Sequence, residues 1–245
     1  MALMSTNKSR WDAIWNIENE YWFQDAGLRQ EIIEIVSNLC KPGSIILDVG
    51  CGKGEYLQCI NSNGYDAFGL DVSHKALIFC QSKKVICASA DYLPIPDGSV
   101  DLILAILTIE HIKEDKPVFR EFSRILRSKG FIVMMVPRTY SLAGIYITII
   151  EPIRKKIRRV LTSSRSVYDL LSVHRTFTRG DISSWATYSN LNILCVNYFF
   201  ASVYSRNLMI RLLGFLLKKL KLFCVSDEIL VVMSKDQGTT EYYNG

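Results

Sequence analysis

Short apolar runs, each closed by glycine, proline or an acid, alternate along this chain with longer segments whose apolar residues recur every three or four positions. The short runs predict strands near 44–49, 66–71, 85–88, 101–107, 130–136, 192–199 and 228–234. The longer segments predict helices near 54–63, 74–82, 115–127 and 178–189. A further helix is expected from Leu28 to Cys40, where Leu28, Ile32, Ile35, Val36 and Leu39 share one face and Lys41-Pro42-Gly43 ends it. Thr178 reads as the cap of the last helix, with Asp181 completing a capping box and Phe177 as a hydrophobic staple. Strands alternating with helices predict an α/β fold, a doubly wound, mostly parallel sheet covered on both faces.

Two stretches depart from that rhythm. Ser5 to Phe23 is aromatic-rich (Trp11, Trp15, Tyr21, Trp22, Phe23) and reads as a helix, either folded over the site as a lid or packed on the sheet edge. Between the fifth strand and His174 lies an insertion of about 35 residues. Within it Ile147 to Leu161 interleaves apolar residues with Arg154, Lys155, Lys156, Arg158 and Arg159. On a helix after Pro152, Ile153, Ile157, Val160 and Leu161 line one face and the five cations the other. Asn207 to Leu222 is likewise apolar and basic, without an acid. Neither segment reaches the ~18–20 uncharged apolar residues that cross a bilayer. The 245 residues are expected to form a single domain. Its parts are a helical cap (1–40), a ligand-binding core (41–137), the basic insertion (138–175) and a return to the core (176–236), with a polar tail from Gln237.

Composition, 49% hydrophobic and 22% charged, is that of an ordinary globular chain. Seven cysteines without a C-x-x-C pair and three histidines give no metal-ligand spacing. An odd cysteine count and no signal-peptide pattern point to reduced thiols and a cytoplasmic location. Charge changes the picture more. From Arg138 to Lys221 there are 14 Lys/Arg against three acids, a net of +11, while the remainder carries −6. Such asymmetry marks an anionic partner: phosphate, nucleic acid or a membrane surface.

The chemistry concentrates in Ile45-Ile46-Leu47-Asp48-Val49-Gly50-Cys51-Gly52-Lys53-Gly54, an apolar strand ending on an acid and breaking into a glycine-rich turn. Glycines there let the backbone approach a ligand closely. The spacing is Gly-x-Gly-x-Gly, one residue short of the dinucleotide fingerprint, and Lys53 is not followed by Ser or Thr as a Walker loop requires. Glu55 near the next helix start is a poor neighbour for phosphate. The pocket therefore suits an adenine cofactor without a pyrophosphate.

From about Ser44 to Pro137 the chain resembles the class I S-adenosylmethionine-dependent methyltransferases, in particular their type 11, small-molecule branch. The matching blocks are the glycine turn, Phe68-Gly69-Leu70-Asp71, Ala90-Asp91-Tyr92-Leu93-Pro94-Ile95-Pro96-Asp97-Gly98-Ser99-Val100-Asp101, Ile109-Glu110-His111-Ile112, and Phe119-Arg120-Glu121…Arg124…Leu126…Gly130. The resemblance implies a seven-stranded sheet closed by an antiparallel hairpin, and S-adenosylmethionine as cofactor. It places Asp48, Gly50, Cys51, Gly52, Gly54, Val72 and Leu107 at that cofactor. It gives Asp71 the ribose hydroxyls and Asp91 the adenine amino group, with Tyr92 beside the ring.

The acceptor side is more open. His111, after the fourth strand, is the candidate general base, or else holds its loop. Glu110 orients His111, reaches the methionine amine through a water, or caps the turn. His174 and Arg175, in an "H-R-x-F-T" stretch, contact the acceptor or merely pack, and Tyr140, just past the fifth strand, lines the acceptor pocket. The apolar-and-basic insertion favours O- or C-methylation of a small amphiphilic or lipid-like acceptor, with peripheral contact to an anionic membrane. Its alternatives are an ordinary substrate-domain helix and a nucleic-acid surface. The second function class is an RNA (tRNA) methyltransferase, against which stands Leu107-Thr108-Ile109 where an amine-positioning Asn/Asp-Pro-Pro motif would fall. The third is an inactive cofactor-binding scaffold. Oligomeric state is not legible.

Overall fold

The computed structural model describes residues 11–12, 26–141, 153, 175–199, 212, 219 and 228–236. Seven strands form one sheet: β1 (Ile45–Val49), β2 (Asp66–Asp71), β3 (Val85–Cys87), β4 (Val100–Ile106), β5 (Leu126–Pro137), β6 (Asn192–Phe199) and β7 (Glu228–Ser234). Their order is β3-β2-β1-β4-β5-β7-β6. The first five pair in parallel, whereas β7 is antiparallel to both β5 and β6. The expected architecture is thus the observed one.

Among the described residues the helices whose bounds are defined are α1 (Ala26–Leu39), α2 (Glu55–Ser62), α3 (His74–Ile78), α4 (Asp115–Ile125) and α5 (Arg179–Ser189), with a 3-10 turn at Ile109–His111. On one face of the sheet, Leu28, Ile32 and Val36 of α1 and Leu57 and Ile60 of α2 close a core over Ile46, Leu102 and Val133. On the other face, Phe119 and Phe122 of α4 and Ile182 and Trp185 of α5 cover Leu47, Ile103 and Met134. Phe119 stacks on Trp185 with ring centroids 4.7 Å apart, and Phe177 meets the same indole edge-on at 4.9 Å. The staple expected of Phe177 is therefore buried against α5. Thr178 and Asp181 form the reciprocal capping box that their spacing predicts.

Three boundaries differ from expectation. The helix predicted over 74–82 ends at Ile78, because the Phe79 and Cys80 amides turn back in tight bonds to Ala76 and Leu77. The helix predicted to 127 stops at Ile125, and the strand predicted from 130 starts at Leu126. Pairing there begins at Val100↔Leu126 and resumes at Leu102↔Phe131, so Arg127 to Gly130 bulge out, with Lys129 at φ 63°. A charged, glycine-ended bulge carries no period-2 signal.

The basic segments 142–174 and 200–227 lie outside the described residues, apart from Ile153, Leu212 and Lys219, which are helical and exposed. His174, the tail from Gln237, and the leader except Trp11 and Asp12 are outside as well. Among the described residues no helix is long and apolar enough to cross a membrane, and no cluster of His, Cys, Asp or Glu has metal-site geometry.

Candidate cofactor and acceptor site

Strand order reverses between β1 and β4, and in open α/β sheets ligands lie in the crevice at the carboxyl ends of such strands. The turn after β1 is built for that crevice. The Gly50 and Cys51 amides both donate to the Leu70 carbonyl of β2, at 2.7 and 3.1 Å. Gly50, Gly52 and Gly54 all have positive φ (75°, 52°, 79°), backbone that side chains rarely adopt. Space is short too: a Cβ on Gly50 would overlap the Thr108 hydroxyl, and one on Gly54 would meet Cys80 Sγ at 2.5 Å. On the β4 side, Leu107 enters the left-handed region (φ 51°) and Thr108 Oγ1 donates to the Val49 carbonyl at 2.9 Å. That bond ties the two crevice walls together.

Asp71 ends β2 beside this turn. Its Oδ2 accepts from the Gly52 amide at 2.9 Å and its Oδ1 from the Ser73 amide at 2.8 Å. The carboxylate is fixed in orientation, yet each oxygen keeps a second acceptor position. Burial pushes its pKa up, while the Ser73 and Gly52 amides hold it back. Asp48, 3% exposed, is pushed up to about 7 by burial and then by Asp71. Its Oδ2 has no hydrogen-bond partner among the described residues. Glu110, 2% exposed, is pushed up to about 8 by burial, and its Oε2 likewise lacks a partner among the described residues. Burial drives the Cys51 thiol up as well, which fits a small packing residue rather than a nucleophile.

His111 Nε2 lies 3.8 Å from Glu110 Oε1. That is beyond hydrogen-bond range, and a Glu110 carboxyl pushed to about 8 is largely neutral at pH 7, so the contact is not an ion pair there. The Trp11 indole packs edge-on against His111, centroids 4.8 Å apart. Beside it, Asp12 Oδ1 accepts from the Ser73 hydroxyl at 2.7 Å and the Lys75 amide at 3.1 Å. The aromatic leader thus reaches the site at these two residues.

Sequence reasoning gave no role to Arg124, Glu121, Ser73 or Thr108, which shape the site. Arg124 donates to the carbonyls of Leu93 (2.9 Å) and Ile95 (2.8 Å) and to Glu121 and Asp97. Glu121 Oε2 in turn accepts from the Leu93 amide at 2.7 Å. The Glu121-x-x-Arg124 spacing is thus a clamp on the loop that carries Asp91 and Tyr92, both exposed. Arg175 donates to the carbonyls of Ile112 and Lys113 and to Asp115, fastening the loop after His111. Burial opposes ionisation of Asp115, but bonds from Trp185, Arg175 and Tyr188 prevail and hold its pKa below the usual range. Arg175 is therefore engaged in packing, the blander of its two expected roles. Ser73 and Thr108 were legible only as a strand-end serine and a polar loop residue. Tyr140 is exposed just beyond β5, Val72 is half-buried next to Asp71, and His174 is outside the described residues.

A doubly wound sheet with a glycine turn and a fixed acid at its switch point defines a protein that binds a nucleoside-type cofactor. Residues 47–134 match the family model described as "Methyltransferase domain". The chain is similar to a probable S-adenosylmethionine-dependent methyltransferase of Mycobacterium tuberculosis, 29% identical over 126 residues, 50% of this chain and 44% of that protein. It is also similar to the tRNA (carboxymethyluridine(34)-5-O)-methyltransferase of Arabidopsis thaliana, 32% identical over 99 residues, 38% of this chain and 24% of that one. In fold it is similar to the crystal structure of a SAM-dependent methyltransferase from Archaeoglobus fulgidus (TM-score 0.58, 18% identity, 85% of this chain and 93% of that chain). Over residues 47–134 the chain is thus similar to a methyltransferase domain, and the relatives it resembles there are S-adenosylmethionine-dependent. It spans about half the length of the curated relatives it matches.

The residues fit that cofactor. In the glycine cradle a Cβ on Gly50 or Gly54 would collide with Thr108 or Cys80, Asp71 offers two oriented acceptor positions to a diol, and the buried Asp48 Oδ2, without a partner among the described residues, suits an ammonium.

Proposed function

We propose that the protein methylates a small amphiphilic acceptor at oxygen or carbon, using S-adenosylmethionine held at the β1/β4 crevice. The backbone from Gly50 to Gly54 lies along the cofactor, flanked by Val72, Leu107 and Cys51. Asp71 accepts from the ribose hydroxyls, Asp48 faces the methionine ammonium, and Asp91 binds the adenine amino group with Tyr92 beside the ring. The cofactor supplies a methyl group already activated by a sulfonium charge. What remains for the protein is alignment, which can be worth ~7–11 kcal/mol in favourable cases. His111 takes the proton of the acceptor hydroxyl or activated carbon, with Glu110 behind it. Tyr140 and His174 line the acceptor's approach.

The observation that carries this reading is the imidazole of His111, held at the carboxyl end of β4 between Trp11 and the Glu110 turn. Thr108, the nearest alternative, has its hydroxyl committed to the Val49 carbonyl. The amphiphilic character of the acceptor rests on the apolar-and-basic pattern of 147–161 and 207–222, within which Ile153 and Leu212 are exposed. The same pattern favours peripheral contact with anionic lipid, each cation adding ~1 kcal/mol near such a surface.

A second reading, an RNA acceptor, is favoured by the +11 charge of 138–221 and by the name of the Arabidopsis relative. The test is transfer of labelled methyl from S-adenosylmethionine to fractionated cell extract. Label in the organic phase supports the small amphiphilic acceptor. Label that ribonuclease releases assigns RNA instead, and label in neither fraction points to an inactive scaffold.

A further inference from the structure

Trp11 and Asp12 are neighbours in sequence, so their Cα atoms are about 3.8 Å apart, yet they touch opposite walls of the crevice. Asp12 Oδ1 accepts from the Ser73 hydroxyl (2.7 Å) and the Lys75 amide (3.1 Å). Ser73 is fully buried. Its amide donates to Asp71 Oδ1 at 2.8 Å, and its hydroxyl oxygen accepts from the Ala76 amide at 3.2 Å. One serine thus joins Asp12 to the acid that faces the ribose. Across the crevice the Trp11 ring abuts the imidazole of His111 at 4.8 Å and 74°.

We propose that Asp12 and Trp11 are positioning residues, a strap that sets the ribose-binding turn after β2 and the His111 ring in register, so that cofactor occupancy and His111 alignment are coupled. This rests on the cofactor site assigned above and adds a connection that spans it. Asp12 is the acceptor for two donors at the start of α3, one of them a fully buried hydroxyl that water does not reach. Removing that acceptor frees Ser73, and with it one of the two bonds orienting Asp71. Because the next residue carries the indole, a displacement of Asp12 is transmitted to His111 across a single peptide unit.

The test uses the full chain and S-adenosylhomocysteine, so it does not depend on knowing the acceptor. Binding is measured by calorimetry for wild type, Asp12→Ala, Asp12→Asn, Ser73→Ala and the Asp12→Ala/Ser73→Ala double variant. Asp12→Ala is expected to weaken binding about tenfold, the effect of one lost charge-assisted hydrogen bond. Asp12→Asn, which keeps the acceptor oxygen, is expected to rescue most of it, and the double variant to be no weaker than Ser73→Ala alone. In parallel, emission of wild type minus Trp11→Phe isolates the Trp11 signal. Saturation with ligand should change it in wild type and not in Asp12→Ala. An Asp12→Ala protein that binds within twofold of wild type, or a Trp11 signal that ignores the ligand, overturns the strap and leaves the cofactor site standing. Failure of wild type to bind overturns both.

Discussion

Arg124 Nη2 donates to the carbonyl of Leu93 at 2.9 Å, holding a loop 31 positions earlier in the chain. Its other bonds go to the Ile95 carbonyl, Asp97 and Glu121, so one guanidinium fixes the segment from Leu93 to Asp97. Arg124→Met keeps the apolar stem and removes every donor. Expected is a loss of about 1–3 kcal/mol, as two carbonyls and the Glu121 carboxylate lose their partner. For a domain of this size that is a fall in Tm of about 2–12 °C. Arg124→Lys is expected to recover little, because an ammonium cannot reproduce the planar fork. Thermal unfolding of the three proteins checks this, and equal midpoints would exclude the clamp.

Gly50 offers a sharper steric test. Its φ of 75° and the overlap of a Cβ with Thr108 Oγ1 act together against Gly50→Ala. Expected is a destabilisation of about 1–3 kcal/mol, with cofactor affinity reduced because the turn and Thr108 must separate. Thr108→Ala, combined with Gly50→Ala, should relieve part of it. If the two losses simply add, the contact does not carry the strain.

The pH dependence follows from Asp48. Its folded pKa of about 7 lies above the ~4 of an unfolded aspartate, so the folded apoprotein binds the extra proton. The stability this group contributes is present in full below pH ~4 and is lost as pH rises through about 7. Cofactor affinity should run the other way. A cationic ammonium favours the ionised carboxylate, so binding releases a proton and strengthens between about pH 6 and 8. Asp48→Asn is expected to flatten both profiles and to stabilise the apoprotein at pH 8 while weakening the cofactor. Calorimetry in two buffers of different ionisation enthalpy measures the released proton directly.

His111→Ala is expected to lower kcat by about 10²-fold or more if the acceptor hydroxyl needs a base. Affinity for S-adenosylhomocysteine should change little, since the group acts on the other substrate. Unchanged turnover would reduce His111 to a loop-holding residue.

The sequence revealed the crevice better than what braces it. Apolar runs ending on Asp48 and Asp71, with glycines at 50, 52 and 54, announce a switch-point site because backbone sterics and strand period are local. Strands β6 and β7 fell where their apolar runs predicted and paired antiparallel as the resemblance implied, and Thr178 with Asp181 formed the expected cap. The clamps were hidden. Arg124, Glu121, Arg175 and Thr108 look like ordinary helix-surface or loop residues until the fold brings their partners from 28 to 63 positions away. Asp12 is the extreme case, an unremarked acid in an aromatic leader whose acceptor role depends on a serine 61 positions on. Periodicity reports which face is buried and says nothing of long-range hydrogen bonds. The basic segments beyond Tyr140 keep their readings as expectations.

The most direct measurement is equilibrium binding of S-adenosylhomocysteine, ATP and NAD to wild type and to Asp71→Ala. Expected is saturable one-to-one binding of S-adenosylhomocysteine by wild type, a loss of about tenfold or more in Asp71→Ala, and no comparable binding of either phosphate-bearing ligand. Preference for ATP or NAD, or an Asp71→Ala protein that binds S-adenosylhomocysteine like wild type, would contradict the cofactor site described.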